Sequence, residues 1–61
     1  MYKQGLYVRH KRIKAEGVMQ ILRVVNEDPN DENNTTYLVR HFANGKFYSE
    51  IFYHFELEPT D

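Results

Sequence analysis

The run YLVRHFANGKFYSEIFYHFEL, residues 37–57, decides the fold class of this 61-residue chain. Tyr37 to Phe42 and Phe47 to Leu57 are rich in β-branched and aromatic residues, and Asn44-Gly45 stands between them. Asn and Gly tolerate the positive φ angles of a two-residue type I′ turn, so the run predicts an antiparallel hairpin. In its first arm, from about Thr35, Tyr37 and Val39 share one face, while Leu38 and Phe42 take the other with Arg40 between them. In its second arm Phe47, Ser49, Ile51, Tyr53 and Phe55 alternate with Tyr48, Glu50, Phe52 and His54. The first of these sets is expected to face the core.

Upstream, Leu6 to His10 follows Gly5 and predicts a first strand. Lys11 to Glu16 is polar around a single Ile and predicts a loop that Gly17 closes. Val18 to Val25 predicts a second strand. A helix over Lys11 to Val25 is the rival, but Gly17 inside it would cost about 1 kcal/mol and its valines and isoleucines favour strand. Gln20 interrupts one alternating apolar set of this strand and Arg23 the other, a pattern expected of a strongly bent strand that serves two sheets or closes a barrel. Asn26 to Asn34 is Asn, Asp, Glu and one Pro and predicts an exposed, mobile acidic loop.

These strands predict an all-β fold of about four to five antiparallel strands, enough for a small barrel, in a single domain over residues 1–61. A domain of this size buries only about 60% of its unfolded surface. No cysteine is present to reinforce so small a core, and nine Phe and Tyr residues have to fill it. The absence of cysteine favours a reducing compartment, and the short apolar stretch after Met1 is broken by Arg9 to Lys14. A cytoplasmic protein without signal peptide or membrane span is therefore expected.

The net charge of −1 hides a strong asymmetry. Residues 1–23 carry six basic side chains against Glu16 alone, or +5, while residues 24–61 carry eight acids against Arg40 and Lys46, or −6. A dipolar molecule is expected unless folding interleaves the halves.

The order Val8-Arg9-His10-Lys11, Gly17-Val18-Met19-Gln20-Ile21, Tyr37-Leu38-Val39-Arg40, Asn44-Gly45 and Phe55-Glu56-Leu57-Glu58-Pro59 resembles small SH3-like or Tudor-like barrels. It is closest in style to those appended to bacterial helicases and transcription-coupling proteins. His41, which separates Arg40 from Phe42, departs from that pattern. The resemblance implies binding rather than chemistry, with proteins of the transcription or repair machinery, or nucleic acid, as partners.

The residues themselves suggest two binding surfaces. Tyr7, Tyr48 and Phe52 fall on faces alternate to the expected core and offer large rigid area to a protein partner. Arg9, Lys11, Arg12 and Lys14 concentrate positive charge in six positions and could neutralise phosphates, which makes direct nucleic-acid binding the alternative. A homo-oligomer joined through strand edges is a third possibility. No Ser, His and Asp arrangement of a hydrolase can be drawn, and His10, His41 and His54 lack the spacing of a zinc site. Neither an enzyme nor a cofactor is expected. The acidic loop lacks the glycine of a calcium-binding EF-hand.

Overall fold

The computed structural model describes residues 1–13 and 17–60 of the chain. Five strands make one antiparallel sheet: β1 (Tyr7–His10), β2 (Met19–Asn26), β3 (Thr36–Ala43), β4 (Lys46–Tyr53) and β5 (Leu57–Pro59). Their spatial order is β4-β3-β2-β1-β5, so β1 to β4 form a four-stranded meander and β1 also receives the last strand. Short 3-10 turns at Glu32–Asn34 and His54–Glu56 complete the structure among the described residues. The fold is all-β, and no ladder joins β5 to β4 among those residues.

The predicted hairpin forms with Ala43 opposite Lys46 and both turn residues at positive φ, Asn44 at 52° and Gly45 at 78°. The two-sided apolar pattern of β2 goes with a pair of bulges in its ladder to β3. Its partners step from Ile21↔Val39 to Arg23↔Leu38 and from Val24↔Tyr37 to Asn26↔Thr36, leaving Leu22 and Val25 as extra residues. Each bulge resets the inward phase of the strand. Met19 and Ile21 are buried, and after the first bulge it is Val24 that packs against the core.

That core is Val8, Met19, Ile21, Tyr37, Val39, Phe52 and Leu57, joined at its margin by Tyr2, Leu6 and Val24. In β4 the structure reverses the sequence expectation. Phe47, Ile51 and Tyr53 are exposed, as is Phe55 in the 3-10 turn that follows, and Phe52 of the other set is the β4 side chain that enters the core. Opposite residues of an antiparallel pair share a face, and the tight turn places Phe52 opposite Tyr37 and Glu50 opposite Val39. The buried Tyr37 and Val39 thereby pull Phe52 and Glu50 inward.

The acidic segment before β3 is exposed but locally organised. Asp28 Oδ1 accepts from the amides of Asn30 and Asp31 at 2.9 and 3.2 Å, and Asp31 caps the following 3-10 turn by accepting from Asn33 N at 3.1 Å. Such side-chain turns stabilise a compact loop without any apolar burial. No helix among the described residues is long and apolar enough to cross a membrane.

Candidate interaction surface

Tyr7 and Arg9 alternate with the buried Val8 and His10, so both stand on the face of β1 turned away from the core. Gln20 lies opposite Tyr7, Arg40 opposite Gln20, and Phe42 opposite Phe47. Register thus gathers residues from four strands on one side of the sheet. Tyr7, Gln20, Arg40, Phe42 and Phe47 border a groove of about 250 Å³, with His41 and Met19 also in its lining. Arg40 is held in place: its Nη2 donates to Gln20 Oε1 at 3.1 Å, and its Cζ lies 4.7 Å from the centroid of the Phe47 ring. Phe42 meets Phe47 edge-on at 5.1 Å between ring centroids. A guanidinium fixed between an amide oxygen and an aromatic face keeps further donors for a carboxylate or carbonyl, beside apolar surface.

Of the residues expected to meet a partner, Tyr7 is 54% and Tyr48 43% exposed, whereas Phe52 is 7% exposed and belongs to the core. Tyr48 lies on the inward face of β4, stacked on His41 at 5.7 Å. The sequence reading missed Arg40, Phe42 and Phe47. The signal was available, because a two-residue turn fixes the cross-strand pairs and the Tyr37–Val39 face then assigns Phe42 and Phe47 to the opposite side.

The basic segment forms a second concavity of about 280 Å³, lined by Lys11, Arg12, Phe55 and Glu56. His10 organises it from below. Its Nδ1 accepts from the amides of Arg12 and Ile13, both at 3.0 Å, which leaves Nε2 to carry the hydrogen it donates to Glu56 Oε2 at 3.1 Å. Arg9 lies away from this hollow, opposite Glu58 of β5. Lys14 is outside the described residues.

The other two histidines are committed to separate contacts. His41 Nε2 donates to Glu50 Oε1 at 2.7 Å, while its Nδ1 is buried without a partner. The Tyr37 hydroxyl accepts from Tyr2 N at 3.0 Å and donates to His54 Nδ1 at 2.8 Å, and Tyr2 stacks on His54 at 4.2 Å. Burial raises the pKa of both tyrosines, helped at Tyr2 by neighbouring Tyr37 and carboxylates. Among the described residues no three His, Cys, Asp or Glu side chains converge on a point that could hold a metal.

No family model matches this chain, and neither the curated proteins nor the solved structures give a match.

Proposed function

We propose that this domain is a non-catalytic binding module, an SH3-like barrel in style, that docks onto a larger protein through the groove between Tyr7, Arg40, Phe42 and Phe47. The observation that carries the proposal is the fixed Arg40, framed by exposed aromatic rings that the core does not use. Arg and aromatic side chains are the residue types that dominate protein interfaces, since they combine large contact area with directed hydrogen bonds. The groove suits an extended peptide segment carrying a carboxylate. The resemblance of the sequence to barrels of helicases and transcription-coupling proteins makes a component of the transcription or repair machinery the expected partner, and a cytoplasmic setting follows from it.

The test is affinity capture from a bacterial lysate with the tagged domain, with and without nuclease, comparing wild type with Tyr7→Ala and Arg40→Glu. A nuclease-resistant partner lost in both variants, at unchanged melting temperature, supports the groove. Equal recovery with all three proteins removes it.

A second reading rests on Lys11 and Arg12 beside the exposed ring of Phe55, a pairing of cations with a stacking surface that suits single-stranded nucleic acid. It predicts binding to a labelled oligonucleotide that weakens steeply with salt and with Lys11→Glu or Arg12→Glu. Binding that ignores both would remove it.

A further inference from the structure

The two edges of the sheet are built differently. β5 is three residues long and ends at Pro59, which lacks an amide hydrogen, so this edge offers little to a new strand. β4 is eight residues long and contains neither proline nor glycine. In a two-residue hairpin the pair flanking the turn is hydrogen-bonded and such pairs recur at every second position, so Lys46, Tyr48, Glu50 and Phe52 bond to β3. The amides and carbonyls of Phe47, Ser49 and Ile51 point out of the sheet. Tyr53 lies in that same row, and its amide is taken by Glu56 Oε1 at 2.9 Å, which confirms the phase and stops the open row at Ile51.

The segment Lys46-Phe47-Tyr48-Ser49-Glu50 also complements itself. When two copies run antiparallel about a two-fold axis at Tyr48, Lys46 of each lies opposite Glu50 of the other, and Tyr48 lies opposite its own copy. Phe47 and Ser49 then form the hydrogen-bonded pairs, which is the parity their outward backbone groups require. Phe47 is 64% and Ile51 58% exposed, and both would lie beside the Phe47 of the second copy on the outer face. Like charges never oppose one another in this register, and both unlike pairs are made.

We propose that the β4 edge is the interface for a second copy of this chain, pairing β4 with β4 about Tyr48 to give a continuous ten-stranded sheet. The proposal is independent of the groove, which opens on the other flank of Phe47 toward β1 and β2. It gives Tyr48 a role as the residue at the axis and leaves two grooves on one face of the dimer.

Sedimentation of the whole chain from about 5 µM to about 500 µM is expected to show the mass rising from monomer to dimer. Lys46→Glu and Glu50→Lys each set two like pairs at the interface and are expected to weaken the dimer by about tenfold or more. An equimolar mixture of the two variants restores both unlike pairs and is expected to recover association near the wild-type level. Because Glu50 also bonds His41, Lys46→Glu is the primary variant, and Tyr48→Cys provides a readout independent of charge. The chain has no other cysteine, and a symmetric pair at the axis is within disulfide reach, so mild oxidation should cross-link Tyr48→Cys faster than Asn30→Cys on the acidic loop. A wild-type monomer throughout the range would overturn the proposal. So would a dimer indifferent to Lys46→Glu, a mixture no stronger than its components, or equal cross-linking at positions 48 and 30.

Discussion

Phe52 and Tyr48 project from the same side of β4, four residues apart, yet they serve different ends. Phe52 reaches the core, with the His10 ring edge-on at 4.9 Å, while Tyr48 lies beyond it over His41. Phe52→Ala is accordingly expected to cost about 3–5 kcal/mol, a large share of the stability of so small a domain, and Tyr48→Ala less than about 1 kcal/mol. Urea denaturation of the two variants checks this, and equal losses would contradict the assignment of faces. The tyrosines of the other end supply a pH signature. Burial raises the pKa of Tyr2 and Tyr37, so the folded state holds these protons more tightly than the unfolded chain does. Their contribution is complete below the unfolded pKa of about 10 and is lost as pH climbs from there through the folded values. The melting temperature should therefore fall above about pH 10, and Tyr2→Phe should flatten that fall. Tyr37→Phe is the harsher change, because it strands both the Tyr2 amide and His54 Nδ1, at about 1–3 kcal/mol.

At the scale of the element, the turn at Asn44-Gly45 sets more than the hairpin. Gly45 has φ of 78°, and a Cβ built there meets nothing within 4 Å, so the cost of Gly45→Ala is purely conformational, about 1–2 kcal/mol. Thermal melts should show that loss with the sheet signal intact in circular dichroism. The hairpin and the strand type of β1 to β4 were legible from β-branched and aromatic runs between turn residues. That β2 turns apolar residues both ways was legible too, although only the structure locates the bulges at Leu22 and Val25 that change its phase. The inward face of β4 was misread because Glu50 makes that row look polar. Its carboxylate accepts from the buried His41, so the polarity is satisfied by a partner nine residues back in the chain. Counting apolar residues strand by strand cannot see such a pair, whereas propagating the register from the turn would have.

In the molecule as a whole, the two oppositely charged halves of the chain are partly zipped together. Arg9 stands opposite Glu58, His10 bonds Glu56, and the Lys11 amide donates to the Glu56 carbonyl at 2.8 Å. Charge counts carry no strand order, so this meeting of the basic β1 with the acidic β5 was not legible in the sequence. The groove was legible only in part: the turn register pairs Phe42 with Phe47, but Tyr7 and Gln20 join Arg40 and Phe47 only through the order β4-β3-β2-β1. Burial is uneven along the 38 Å length of the molecule, because the turn end of β3 and β4 lies beyond the buried cluster. Amide exchange should reflect this, with the Phe52 amide exchanging slowest among the bonded amides of β4 and Tyr48 far faster. Uniform protection along the strand would contradict that gradient. The pairing of Val8 with Pro59 has a temporal consequence. The meander of β1 to β4 is made of neighbours in sequence and can assemble early. The final ladder must instead close a loop of some fifty residues, which places it late and makes it slow. A ribosome releasing this chain from its N-terminus would hold β1 half-paired until the segment beyond Glu56 had emerged, with the basic strand waiting on its acidic counterpart.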